Sequence, residues 1–461
     1  MRPVEERQDQ IERAKRRERN RLVRPRGLWW ISPVGALALV VPVSLWAAWK
    51  LPDETYRRAW GTAKALTTPT TLLLLGGMLI LMVGTALPLV SARRRAVGKP
   101  WPNFTDRQWS MLATASTWLF WLTVFGYAAM GAAGVARGVR PSDIIAAFVD
   151  QNNLSGQLKA AFAPITGITS FTQIGVAFVV VAALLVFHRS ERKTWLRLAL
   201  ILFLAFVRSF VATERLAILE LIVPLIVVAA FTYVGDPRPR IRGFVKLAPV
   251  ILIPAVVAVF AVFEYSRSWV FYKQQSSGSF VDFALERFAG YYATAYNNGQ
   301  LALDHLPLDG HVPYVSIQAL WDAPGISQLN LYGILNGGPP PDLGQVLTQY
   351  GNPEFNNECG LCDPFVDWGP IGGLIFFLCA GLLIGLVYRG FCNGSPVSTL
   401  VYPTLVTGLF EIPRYMYWTQ GRVFSALVAL VVVGLWIGNA KDPPASLDDD
   451  VEPSMSEAAV P

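Results

Sequence analysis

Six arginines and two carboxylates stand where an otherwise apolar chain turns polar, and they carry the chemistry open to it. Arg208 and Arg215 bracket the turn Arg208-Ser-Phe-Val-Ala-Thr-Glu214-Arg215 between two apolar runs. A guanidinium fork bonds phosphate oxygens bidentately, so this pair can hold one phosphate group or can simply anchor two helix ends. Glu264 and Arg267 lie three residues apart, on one face of a helix. They form either a local salt bridge or a general base beside a phosphate-binding cation. Arg287, in Leu-Glu-Arg-Phe, either meets a ligand or pairs with an acidic neighbour. Arg414 and Arg422 share the turn Glu411-Ile-Pro-Arg-Tyr-Met-Tyr-Trp-Thr-Gln-Gly-Arg422 with three aromatics. Asp367 offers a second base, with a helix cap as its plainer role. Trp368, with Trp269, Tyr272, Tyr291, Tyr292, Tyr296 and Trp321, supplies rings that stack on sugars. Glu220 lies deeper in an apolar run and is expected to pair structurally with an arginine.

The elements that position these residues are membrane spans. Of the 461 residues, 53% are hydrophobic and only 15% charged, against roughly 25% charged in a soluble domain. Apolar runs of about 17–23 residues match a hydrocarbon core of roughly 30 Å. Backbone groups inside lipid must be satisfied within the segment, so the runs are helices. The expected fold class is all-α polytopic, with about ten spans near 28–48, 71–91, 111–133, 171–187, 195–210, 216–233, 244–263, 371–388, 397–412 and 423–438.

The one long interruption, 264–370, holds eleven carboxylates and three cations (Arg267, Lys273 and Arg287). The short loops on the opposite side are basic, including Arg93-Arg94-Arg95, Arg189/Arg192/Lys193 and Arg238/Arg240/Arg242. The positive-inside rule then places both termini in the cytoplasm and the acidic loop outside. The expected organisation is a basic tail over 1–27, seven spans over 28–263, the large loop over 264–370, three spans over 371–438 and an acidic disordered tail over 439–461. The tail at 1–27, with ten Arg/Lys against five Asp/Glu, makes the first apolar run a retained span and not a cleaved signal.

The net charge of +7 sits mostly in the tail and short loops, where it sets topology, so nucleic acid is not an expected partner. No phosphate loop with lysine and no dinucleotide fingerprint is present. Three histidines give no basis for a catalytic metal, and no cofactor is expected. Cys359 and Cys362, in Cys-Gly-Leu-Cys, are two ligands short of a structural zinc site. They read as a local disulfide if the loop is extracytoplasmic, or as two free thiols.

Three motifs carry a resemblance. They are Arg208-Ser-x5-Arg215-Leu216 opening a span, Phe283-x-x-Glu-Arg-Phe288 early in the loop, and Asp363-Pro-Phe-Val-Asp367-Trp-Gly-Pro-Ile-Gly372-Gly373 at its exit. With the topology, over most of 70–440, they resemble the bacterial O-antigen and oligosaccharide repeat-unit polymerases (Wzy-type). The resemblance implies a glycosyltransferase of surface polysaccharide biosynthesis in the bacterial plasma membrane. Such an enzyme moves a growing glycan from undecaprenyl pyrophosphate onto an incoming lipid-linked unit. It further implies Arg208, Arg215, Arg267, Arg287, Arg414 and Arg422 as cations for pyrophosphate or acidic sugar, and Glu264 or Asp367 as base. Its partners would be a polyprenyl-pyrophosphate-linked oligosaccharide, membrane lipid and a chain-length regulator.

Two other classes compete. A single-sugar, polyprenyl-dependent glycosyltransferase would use Asp53-Glu54 in the first outward loop, and an O-antigen ligase is a close variant. A lipid-oligosaccharide flippase would line a midplane cavity with charge and show repeats. Here charge gathers at span ends and no internal repeat is visible.

Overall fold

The computed structural model describes residues 28–90, 101–140, 170–211, 216–234, 238–269, 278–306, 312–323 and 325–440, with 22–23, 95–96, 272 and parts of 142–167. Arg215 and most of both terminal tails lie outside the described residues, and Arg267 is described by its backbone alone. The protein is an all-α polytopic membrane protein. The extended pairing among the described residues is a two-residue bridge, Leu22–Val23 against Arg95–Ala96.

The chain runs α1 (Pro33–Lys50), α2 (Thr68–Val90), α3 (Asp106–Ala136), α4 (Ser170–Arg189), α5 (Arg192–Val211) and α6 (Leu216–Tyr233). Next come α7 (Pro239–Lys246) and α8 (Ala248–Glu264), one segment bent by 55°. The long interruption contains α9 (Phe280–His305), after which α10 (Asp363–Asn393), α11 (Pro396–Glu411) and α12 (Gly421–Gly438) close the bundle. Among the described residues, eight helices are long and apolar enough to cross a membrane, and the bent α7–α8 pair makes a ninth. The segment expected over 397–412 is α11, a helix of 16 residues.

Local sequence explains the boundaries. Ser32 caps α1 by accepting from the Gly35 N–H, with Pro33 at the first helical position. Thr105 and Gln108 form a capping box for α3, as Ser279 and Asp282 do for α9. In α10, Gly369 takes a positive φ of 67° just before Pro370. That break separates the short Asp363–Trp368 turn from the span proper, which is why the apolar run reads as beginning at 371.

Packing follows side-chain size. α4 is apolar all round and fills the centre, with residues 176–183 at most 1% exposed. α2 and α10 meet through glycines: a Cβ on Gly385 would lie 2.5 Å from the Thr85 carbonyl oxygen, and one on Gly84 2.7 Å from that of Leu378. Gly381-Leu-Leu-Ile-Gly385 is thus a small-residue contact of the kind membrane helices use to approach closely.

Long-range bonds show how the spans alternate. On one face Trp30 Nε1 donates to Val245 O, Trp101 Nε1 to Phe391 O and Gln108 Nε2 to Ile437 O. On the other, here the loop face, Ser425 donates to Ser170 O and Arg208 to Thr172. The interruption is no free loop. α9 lies against α1, its Tyr296 hydroxyl 2.9 Å from Ser44 Oγ, while Asn297 accepts from Leu66 N (3.2 Å) and Gln300 from Thr67 N (3.3 Å).

Candidate functional site

At the loop face the ends of α3, α4, α5, α6 and α12 bring six polar side chains together. Arg422, at the start of α12, sets its Nε 2.6 Å from Glu220 Oε1. Gln173, with its amide oriented to satisfy both neighbours, donates to Glu220 Oε2 (3.1 Å) and accepts from both terminal nitrogens of Arg208 (3.2 Å each). Arg208 also donates to Thr172 Oγ1 at 2.7 Å and reaches the Tyr127 hydroxyl. Glu220 is only 2% exposed, and a buried carboxylate of this kind persists because it is paired and hydrogen-bonded. The expected structural pairing of Glu220 with an arginine is what the geometry displays. Gln173 and Tyr127 escaped the sequence reading, although a glutamine inside the apolar run Phe171-Thr-Gln-Ile-Gly175 is itself a signal.

A second arginine cluster lies in the interruption. Arg287 sits between Glu354 (2.7 Å) and Glu264 (3.7 Å) and lies over the rings of Phe355 and Tyr272, 4.7 and 5.3 Å from their centroids. Tyr272 donates to the other Glu354 oxygen at 2.9 Å. Glu264 has no exposed surface. Of the two expectations for Glu264, the geometry displays an ion pair, with Arg287 as its partner in place of Arg267. Arg287 is likewise held by carboxylates from both sides and is not presented to a ligand. Tyr265–Trp269, which contains Arg267, is a π-helical turn leaving α8.

Asp367 is also held by partners within the protein. Its two oxygens accept from the backbone N–H groups of Tyr314 (3.1 Å), Val315 (3.2 Å) and Ser316 (2.6 Å) and from the Ser316 hydroxyl (2.6 Å). It caps a distant 3-10 turn, Val315–Ile317, and not its own helix. Trp368 donates from its indole to Ser316 Oγ at 3.0 Å and leaves half of its ring exposed.

A third arginine cluster centres on Arg414, which follows α11. It pairs with Glu411 (2.9 Å), donates to Asn357 Oδ1 (3.0 Å) and lies over the Tyr291 ring, 4.9 Å from its centroid. The Tyr415 hydroxyl donates to the same Asn357 oxygen at 2.8 Å. Asn298 of α9 fixes that strip from behind, donating to Phe355 O and Asn357 O. Tyr417 stands between this group and the first, in the field of Glu220, Arg422 and Glu411. The two clusters are thus continuous along the 411–422 turn.

Next to Asn357 is Glu358, which sequence reading counted but did not single out. Burial pushes its carboxyl above the usual carboxylate range, and it acts electrostatically on Tyr314, Tyr415 and the buried Asp363. A carboxyl raised in this way suits general acid–base chemistry.

Cys359 and Cys362 are both buried free thiols in contact with each other, the second of the two expected states. Asp53 and Glu54 open the helix Asp53–Trp60, where Glu54 forms an exposed i,i+4 pair with Arg58. That is an ordinary placement of acidic residues in a first helical turn. No protein-family model, curated protein or solved structure matches this chain.

Proposed function

We propose that this protein is a membrane glycosyltransferase that polymerises oligosaccharide repeat units carried on a polyprenyl pyrophosphate, at the outer face of the bacterial plasma membrane. The observation that carries the reading is the convergence of Arg208, Arg422 and Arg414 at the loop face, from parts of the sequence up to 214 residues apart. Fixed guanidinium groups at the end of a span bundle suit a lipid-linked pyrophosphate, whose tail lies in the bilayer and whose charge lies at its surface.

In the transfer, the acceptor hydroxyl attacks the anomeric carbon of the growing chain. The bond from that carbon to the pyrophosphate oxygen breaks, and the pyrophosphate leaves with the electron pair. Arg208 and Arg422 stabilise the leaving charge, with Arg215 seven residues after Arg208 in sequence. Arg414 and the Tyr291 and Tyr415 rings bind sugar. Glu358 takes the hydroxyl proton.

The test is glycan length in a strain lacking this chain, complemented with the wild type or with Arg208→Ala. Single repeat units without long chains, restored by the wild type but not by the variant, are expected. Unchanged chain length with one sugar missing would instead establish a single-sugar transferase. Units accumulating on the inner face would establish a flippase.

A further inference from the structure

Residues 312–323 and 325–336 form a compact unit folded on its own contacts. Trp321 Nε1 donates to Pro313 O, the Tyr332 hydroxyl to Val312 O, and Val312 N to Asn336 Oδ1. Tyr332 packs edge-on against Tyr314 and Trp321, with centroids 4.8 and 5.3 Å away. Asp367 and Trp368 pin this unit to the head of α10 through Tyr314, Val315 and Ser316.

Its outer surface presents four large apolar side chains among the polar Ser327, Gln328 and Asn330. Leu320, Leu329, Ile334 and Leu335 are 47–69% exposed. From Val312 to Pro341 the sequence holds one charged residue, Asp322, and no Lys or Arg. Asp322 is exposed, and its carboxylate bonds Gln318 and Tyr314 beside Gly421. The next helix, Leu343–Tyr350, has the opposite sense, with Val346 and Leu347 buried and Gln345, Thr348 and Gln349 outward. An interruption that faced water throughout would treat the two alike. Large exposed apolar patches mark surfaces that another phase or molecule covers.

Position identifies the cover. Below Gly369, α10 exposes Ile371, Ile375, Cys379 and Leu383 at every fourth residue, the stripe of a span facing lipid. Trp368 sits at the head of that stripe, half exposed, where interfacial tryptophans collect.

We propose that residues 312–336 are embedded in the headgroup–acyl boundary of the loop-side leaflet, continuing the lipid-facing surface of α10. The segment holds the interruption down on the bilayer, so that a lipid-borne ligand reaches the loop-face arginines sideways from the membrane. The binding is apolar and does not depend on anionic lipid. The proposal stands whatever the enzyme's substrate.

The experiment uses the full chain with Cys379 and Cys392 replaced by Ala, carrying either Leu335→Cys or Gln345→Cys with a bimane label, in phosphatidylcholine nanodiscs. A shallow doxyl lipid is expected to quench position 335 several-fold more than position 345, and aqueous iodide is expected to do the reverse. Added phosphatidylglycerol leaves that ratio unchanged. Iodide reaching both positions equally, with lipid quenching at neither, overturns the proposal. So does protection of 335 from both quenchers, which would mean that a protein, a second copy included, covers the patch.

Discussion

Two arginine clusters built from the same residue types have opposite characters. Around Arg287, one guanidinium lies between two carboxylates and over two rings, and one of the carboxylates has no exposed surface. Around Glu220, two arginines from different spans converge on one carboxylate, Arg208 being linked to it through the amide of Gln173. The first arrangement locks the exit of α8 to α9 and to the Glu354 strip. The second concentrates guanidinium groups at the mouth of the bundle. An arginine beside a loop says little by itself. The carboxylates that the fold brings to it decide whether it ties structure together or faces an anion.

The sharpest way to break the comparison is to remove the arginines that hold buried carboxylates. Arg422→Ala takes a charged partner from Glu220, and Arg287→Ala takes one from Glu264. Each is expected to lower stability by about 3–5 kcal/mol, read as a fall in Tm of the detergent-solubilised protein. Adding Glu220→Gln to the first variant should recover most of its loss, because a neutral amide needs no counter-charge. If Arg287→Ala melts like the wild type, its carboxylate cage is not a structural tie and the contrast fails.

Arg208 should separate from both. Its replacement by Ala leaves Glu220 with Arg422 and Gln173 and is expected to move Tm little. Product formation should fall roughly 10- to 150-fold, the loss of one charge-assisted contact of about 1.5–3 kcal/mol in the transition state. Polymer length and turnover with lipid-linked substrate are the readouts. A variant that melts early and keeps its specific activity would move Arg208 into the structural class with Arg287.

The spans were legible because hydrophobic run length is a property of the sequence alone. Glu220 was legible too, since a carboxylate in an apolar run demands a partner. What stayed hidden was the identity of partners across long separations. Asp367 reads as a base or as the cap of its own helix, but its donors lie 51–53 residues earlier. The Asn297-Asn298-Gly-Gln300 run lies mid-helix in α9, its amides bonded to backbone 57–233 residues away. Polar side chains are buried there because tertiary partners satisfy them, and no local pattern encodes those partners.

Asp367 gives the next test. Asp367→Asn keeps the shape but removes the charge that receives four donors, and an expected loss of about 1–3 kcal/mol follows. Activity should track stability, so that at a temperature where the variant is fully folded its rate matches the wild type. A folded Asp367→Asn protein without activity would return Asp367 to the role of base.

Glu358 offers the smallest effect and the finest discrimination. Burial raises its carboxyl above the ordinary value of 4.5, so the folded chain holds that proton more tightly than the unfolded one. Its contribution to stability is complete below 4.5 and is lost as the pH rises through the raised value. Glu358→Gln lacks this decline, so its Tm should gain on the wild type progressively over that interval. Activity should run the other way. A base works only when deprotonated, so wild-type turnover rises with pH across the same interval and the glutamine variant stays flat and low. Parallel Tm curves for the two proteins would show that Glu358 titrates as a solvated side chain. The acid–base role at the loop face would then fall to another group.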